Sequence, residues 1–348
     1  MTRELTYHQA IREALDLCLE HDRAVCLAGL GATDPKGIFG TTLGLDRKHG
    51  HRVLDMPCSE NGMTGILIGA ALVGMKPVMV HQRVDFALLA LEQILNQAAK
   101  WHYMFGGRQS VPLVIRLIIG RGWGQGPQHS QSLHSFFAHV PGLRVVMPAT
   151  PGDAKGLLIA AVDDPNPVIY LEHRWLHNVR GSVPPGIFHT PIGSGRVMRP
   201  GKDVTIVAVS YMCLEALRAA GILVELGIDA EVIDLRSLRP WDADLVCESV
   251  DRTGRLVVVD TSWKLAGFSA EVLATVVERC LPRLRCPPRR IALPDCPTPT
   301  SPALARHFYP TSADIVTTVC GLLGRQPPPL PEPKTPADVP DPTFTGPF

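Results

Sequence analysis

Net charge is nearly absent from this sequence: 34 Lys and Arg stand against 33 Asp and Glu, a balance of +1 over 348 residues. That removes any global electrostatic case for a nucleic acid or an anionic membrane as partner. Long apolar runs are missing as well. The longest, Gly65 to Met75, covers 11 residues and stops at Lys76, where a membrane-spanning helix needs about 20. The opening Met1-Thr-Arg-Glu-Leu-Thr-Tyr-His8 has no apolar segment of the secretory type. Nine cysteines, an odd number, include no CxxC pair, so scattered reduced thiols fit better than a disulfide framework. A soluble cytoplasmic protein is expected, with neither nucleic acid nor membrane as partner.

Hydrophobic residues make up 45% of the chain and charged residues 19%, which excludes general disorder and supplies large cores. The length suits two domains. Short apolar runs at Ala24–Leu27, Pro77–Val80, Pro112–Ile119, Arg144–Met147 and Pro167–Leu171 alternate with helical patterns. The clearest of these are Phe86–Lys100, Asp153–Val162 and a first helix capped by Thr6. Strands and helices alternate again after a Gly- and Pro-rich stretch: Val204–Val209, Cys213–Leu226, Ala230–Asp234, Asp242–Val250, Leu256–Asp260, Ser269–Cys280, Arg290–Leu293 and Ser312–Leu323. The expected fold is α/β, two domains with mainly parallel sheets. The boundaries read as a first domain over 1–180, a linker over 181–201 with a short strand near Pro191–Arg196, a second domain over 202–324 and a proline-rich tail over 325–348. The tail's prolines forbid a helix or central strand; it reads as a solvated extension or a docking arm.

Several segments carry residues suited to chemistry. Ser59-Glu60-Asn61-Gly62-Met63 lies between a strand-like run and a small-residue helix. A carboxylate there stands where open α/β sheets bind ligands, facing a poorly hydrated pocket and placed to exchange a proton with a heterocycle. The same Glu60 also suits the helix dipole. Gly120-Arg-Gly-Trp-Gly-Gln-Gly126 has glycine at alternate positions and leads to Gln128-His129-Ser130-Gln131. It lets backbone approach a ligand closely, and His129 is placed to act as an acid or base; a capping loop with an incidental histidine fits the same residues. No Gly-Lys-Ser/Thr makes it a P-loop, Gly29-Leu-Gly31 lacks the third glycine of a dinucleotide fingerprint, and GxSxG is missing. His173 and His177 stand four apart at a strand end, a poor zinc arrangement.

Taken in order, these motifs resemble the β subunit of 2-oxoacid dehydrogenase E1 components, in the transketolase-like group. The likeness runs through Asp55-Met-Pro-Cys-Ser-Glu60-Asn-Gly-Met-Thr-Gly65, Asp85-Phe86, Glu92–Lys100, Gln128–Gln131, His139–Pro148, Asp153–Leu158, Asp164–Pro167, Asp203–Ser210, Asp234–Pro240 and Asp295–Pro299. It implies a thiamine diphosphate enzyme with a pyrimidine-binding domain and a transketolase C-terminal-like domain. By the resemblance, Glu60 hydrogen-bonds N1′ of the aminopyrimidine and favours the 4′-imino form that deprotonates thiazolium C2. Phe86 and Met63 contribute to holding the ring, and His129 stands near substrate. The backbone around Asp164, Asn166, Ala161 and Leu113 resembles a structural potassium site.

No Gly-Asp-Gly occurs in the chain, the motif that in such families precedes an Asn and binds Mg²⁺ and diphosphate. The resemblance therefore implies half a cofactor site, completed by an E1-alpha-like subunit in an α2β2 heterotetramer, with a lipoyl acyltransferase (E2) as a further partner. The expected activity is decarboxylation of a 2-oxo acid with transfer of the acyl unit. A transketolase-like or acyloin-forming carboligase is the alternative, and a non-catalytic scaffold subunit the reading from another class. Departures from the family pattern are Leu30, where an acidic residue is usual, His81-Gln82-Arg83 in place of less polar residues, and Trp123 within the glycine loop. Arg83, His81 and Gln128 are the candidate substrate residues. Arg83 suits an anionic or polyhydroxylated substrate, and a surface ion pair accounts for it equally well.

Overall fold

The computed structural model describes residues 3–121 and 124–330. Gly122 and Trp123 of the glycine loop, and the tail from residue 331 on, lie outside the described residues. The chain forms two compact units. Among the described residues, one takes in 3–120 together with Phe136–Ile192; the other takes in Arg121, residues 124–135 and residues 193–330.

The first unit opens with β1 (Arg3–Thr6) and α1 (Tyr7–His21). Thr6 and Gln9 cap the helix reciprocally: the Gln9 N–H donates to the Thr6 hydroxyl, and the Thr6 N–H donates to the Gln9 side chain. Ala10, Ile11, Ala14, Leu15, Cys18 and Leu19 recur at helical spacing and form its buried face. The chain continues through β2 (Val25–Gly29), α2 (Leu45–His49), β3 (Val53–Asp55) and α3 (Glu60–Leu72). Then come β4 (Lys76–His81), α4 (Val84–Ala87), α5 (Ala99–Met104), β5 (Val114–Ile119) and α6 (His134–Ala138). The last elements are β6 (Arg144–Val146), α7 (Pro151–Asp163), β7 (Val168–His173) and β8 (Arg180–Val183).

Within this unit the strands pair in the order β6-β7-β5-β4-β2-β3, every pair parallel. β2, β5 and β7 are buried along their whole length, as parallel strands covered by helices on both faces must be. β2 and β4 approach so closely that a Cβ at Gly29 would stand 2.4 Å from Val80 Cγ1.

Two features depart from the sequence reading. Residues 181–183, read as linker, pair as part of β8 antiparallel to β1, a contact between distant segments that no local pattern announces. The single helix expected over Phe86–Lys100 is broken into α4, a 3₁₀ turn, a π-helical stretch (Gln93–Ala98) and the start of α5, since apolar spacing does not separate α from π turns.

The second unit runs through β9 (Arg196–Arg199), β10 (Val204–Ala208), α8 (Met212–Glu225), β11 (Ala230–Asp234), β12 (Ser237–Arg239) and α9 (Ala243–Thr253). β13 (Leu256–Trp263), α10 (Phe268–Cys280), β14 (Arg289–Leu293), α11 (Pro302–Phe308) and α12 (Ser312–Leu322) complete it. Its sheet has the order β14-β13-β10-β11-β9, with only the edge strand β9 antiparallel. β9 begins at Arg196, beyond Pro191, which has no N–H for a ladder. Among the described residues, no helix is long and apolar enough to cross a membrane.

Candidate active site

Glu60 is the first residue of α3, directly beyond the carboxyl end of β3. The Asp55 carboxylate at the end of β3 accepts a 2.7 Å hydrogen bond from the Gly31 N–H and so ties down the loop leaving β2. Behind Glu60 the helix is anchored by Thr64, whose hydroxyl donates to the Glu60 carbonyl at 2.7 Å. Glu60 itself is only 7% exposed, yet among the described residues its carboxylate takes one weak hydrogen bond, from the Cys58 thiol at 4.0 Å. A buried carboxylate so poorly partnered is costly unless a ligand donates to it. Met63, half-buried, stands one turn along the same helix face.

On the same carboxyl edge of the sheet, two strands over from β3, the end of β4 carries His81 and leads to Arg83 and, in α4, Phe86. His81 is 3% exposed and its Nε2 has no partner among the described residues. Burial pulls its pKa down to about 4, so the ring is neutral near pH 7. Arg83, also 3% exposed, donates from Nη1 to the Gly120 carbonyl beyond β5 at 3.3 Å. Phe86 is half-buried, leaving part of its ring accessible.

Further residues of this edge were not singled out by the sequence reading. Arg174, just past β7, lies with its guanidinium carbon 4.5 Å from the centre of the Phe39 ring, and Arg83 lies 6.0 Å from the same ring. Arg116 of β5 and Glu172 of β7 form a fully buried pair at 2.7 Å. Burial alone would push the Glu172 pKa up, but Arg116 and then His177 outweigh it and hold the pKa below the ordinary value.

Gln128 and His129 lie on the stretch 121–135, which packs within the second unit. Gln128 is exposed and His129 half-buried. The Arg121 guanidinium sits over the rings of Tyr309 and Tyr211, at 4.3 and 5.1 Å. Gly126, at φ +75°, faces Thr300 so closely that a Cβ would come within 2.7 Å of its hydroxyl. His134 Nε2 meets Asp260 Oδ1 at 2.8 Å with both side chains buried, and Ser135 accepts from the Phe268 N–H at 3.0 Å. The loop carrying His129 is thus fastened at both ends. His134 and Asp260 are 126 positions apart, so no motif could have joined them.

The remaining candidates gather at the opposite edge of the first unit's sheet. Asp164 and Asn166 precede β7 and Leu113 precedes β5. Asp164 Oδ1 accepts from the backbone and side-chain nitrogens of Asn166, and Arg144 pairs with the other carboxylate oxygen at 2.6 Å. The Ala161 carbonyl accepts from the Asp164 N–H, and the Leu113 carbonyl from the Val168 N–H. Each carbonyl oxygen keeps a second lone pair. A strand of six residues, about 20 Å long, separates this turn from the edge that carries Arg83.

Compared with known proteins, residues 3–179 match the family described as transketolase, pyrimidine binding domain, and residues 193–315 the transketolase, C-terminal domain. The acetoin:2,6-dichlorophenolindophenol oxidoreductase subunit beta of Cupriavidus necator is 43% identical over 325 residues, 90% of this chain and 96% of the relative. The protein of the same name from Bacillus subtilis is 39% identical, over 93% of this chain and 98% of that one. The mitochondrial pyruvate dehydrogenase E1 component subunit beta-2 of Oryza sativa is 42% identical, over 90% and 85%. Among solved structures, a split gene transketolase described as an inactive beta4 tetramer superposes with a TM-score of 0.74 over 92% of this chain and 99% of that one. At 24% identity that likeness speaks for the fold alone.

Proposed function

This chain belongs to the transketolase family, built from its pyrimidine-binding and C-terminal domains, and on that premise we propose that it is the β subunit of a thiamine diphosphate-dependent heteromeric enzyme. The assembly would cleave the bond beside the carbonyl of a 2-oxo acid or acyloin and pass the acyl unit to an acceptor. The observation that carries this reading is Glu60: buried, at a strand's carboxyl end, and with a single weak partner for its carboxylate. That environment fits a weakly basic ring nitrogen in need of a proton-sharing partner.

When bound, thiamine diphosphate supplies the carbanion-stabilising ring. This chain's residues do the rest. Glu60 holds and returns a proton at its carboxylate oxygens, Met63 and Phe86 orient the pyrimidine and exclude water, and His129 handles a proton at the substrate. His81, neutral, can give or take a hydrogen bond to substrate without adding charge. Gln128 and Arg83 complete the substrate residues.

The diphosphate and Mg²⁺ are assigned to an E1-alpha-like partner in an α2β2 assembly, with a lipoyl acyltransferase as the acceptor's carrier. The turn at Leu113, Ala161, Asp164 and Asn166 is assigned to K⁺ in a structural role, far along the strands from Glu60. Among the described residues the cysteines form no disulfide, and the assembly is assigned to the cytoplasm. The two acetoin oxidoreductase relatives favour, as the second reading, chemistry on an acyloin, related to the acyloin-forming carboligase alternative but run in the direction of cleavage.

The test is reconstitution. This chain alone, its α partner alone and the mixture are each assayed with thiamine diphosphate, Mg²⁺ and 2-oxo or acyloin donors. Turnover is expected only in the mixture; turnover by this chain alone would overturn the assignment of the phosphate end to a second polypeptide.

A further inference from the structure

Where β6 and β7 begin, at the edge of the first unit's sheet opposite Glu60, a cavity of about 450 Å³ opens that proton chemistry at Glu60 leaves unused. Its walls are Ala99, Tyr103, Pro141, Gly142 and Pro167, with Lys100 among them. That volume falls within the about 300–1,000 Å³ of small-molecule pockets. Gly142, at φ +99°, sits so close to α5 that a Cβ there would collide with the Ala99 carbonyl oxygen, so only glycine lets these two walls meet. The turn after α5 is fastened too. Trp101 Nε1 donates to the Gln109 side chain at 3.0 Å, and His102 Nδ1 meets the Gln109 carbonyl at 3.1 Å. The π-helical stretch Gln93–Ala98 ends at Ala98, a further lining residue, and π turns inside helices are kept frequently at functional sites.

Charge selects the ligand. Lys100 Nζ donates to the Pro141 carbonyl at 2.8 Å, which holds the ammonium at the cavity and leaves two of its three donors. Among the described residues Lys100 has no carboxylate partner, and no Asp or Glu lines the cavity. The acid of the adjoining turn is already taken: Asp164 accepts from Asn166 and pairs with Arg144. An ammonium held between apolar walls attracts an anion more strongly than one in open water. The rest of the lining offers carbon: two prolines, Ala99 and the Tyr103 ring, which at 89% exposure is open to a ligand.

We propose that this cavity binds a small organic acid, its carboxylate on Lys100 and an aryl or branched alkyl body between Tyr103, Pro141 and Pro167. The site goes beyond the thiamine diphosphate reading and does not depend on it, since the cavity and Glu60 lie at opposite ends of the strands.

The experiment titrates the full-length chain with 3-phenylpropanoate by calorimetry, at ionic strength held constant with sodium chloride. Two controls run beside it: 3-phenylpropanol, the same body without the charge, and acetate, the charge without the body. One saturable site per chain is expected for 3-phenylpropanoate, with the alcohol about 10-fold weaker and acetate showing no saturation. Lys100→Met should weaken the acid about 10-fold and leave the alcohol within about twofold. Lys100→Arg keeps the charge and should lose about threefold or less. Tyr103→Ala, at an exposed position, should weaken acid and alcohol alike by several-fold.

Absence of saturable binding in the wild type overturns the proposal, and so do equal affinities for acid and alcohol. Unchanged acid binding in Lys100→Met or in Tyr103→Ala contradicts it as well. If Lys100→Met does not fold, Lys100→Arg and Tyr103→Ala carry the test, and a loss of 10-fold or more in the arginine variant contradicts the charge pairing. Binding abolished by Glu60→Gln yet untouched at Lys100 would place the acid at the other edge of the sheet and refute the cavity.

Discussion

At the scale of single residues, the first unit concentrates buried polar groups at one sheet edge and leaves their interactions incomplete. Glu60 has one weak partner and His81 an unmet ring nitrogen. Such groups lower stability in exchange for chemistry. His81 makes this measurable. Burial sets its folded pKa at about 4, below the unfolded value of about 6.5. Between those values the unfolded chain binds more protons, so stability falls as pH drops from about 6.5 toward 4, by about 2 kcal/mol at pH 5 from this residue. Replacing it with a ring that does not titrate, His81→Phe, should flatten that slope by about this amount in urea melts compared at pH 7.5 and pH 5. An unchanged slope would mean the imidazole is protonated in the fold.

At the scale of elements, parallel strands bring together side chains that lie far apart in sequence, and this decides what could be read in advance. Glu60 was legible because a strand end, a glutamate and a small-residue helix are adjacent in the chain. The strand–helix alternation was legible because burial on both faces leaves continuous apolar runs such as Val114–Ile119. Arg174 over Phe39 was not, since the pairing depends on β7 and β2 delivering their carboxyl ends to one edge. Nor was the attachment of residues 121–135 to the second unit, which depends on Asp260.

That aspartate accepts from the Ser262 N–H and hydroxyl and the Ser269 N–H as well as meeting His134. Burial pushes its pKa up, but the His134 charge and these donors outweigh it, leaving the pKa below the ordinary value. Its contribution is therefore present above the unfolded aspartate pKa and lost as pH falls through the lower folded one. Asp260→Asn should cost about 3 kcal/mol near neutral pH. It should also speed amide exchange across residues 124–135 relative to the rest of the second unit. Unaltered exchange there would show that the aspartate does not hold the His129 loop.

At the scale of the whole molecule, one chain holds both family domains, and the proposed function assigns an acid, an aromatic and a histidine of that chain to a thiamine ring. Among the described residues no group of three or more His, Cys, Asp or Glu could hold a metal ion. The division of labour proposed here leaves proton handling to this chain and the phosphate end to its partner. The measurement that reaches that claim most directly is turnover of the reconstituted α/β assembly carrying Glu60→Gln, with assembly followed by sedimentation in the same preparation. An intact assembly is expected, with turnover lower by at least about 100-fold, since amide nitrogen and oxygen hold the ring without exchanging its proton. A Glu60→Gln assembly that turns over within a few-fold of wild type would contradict it.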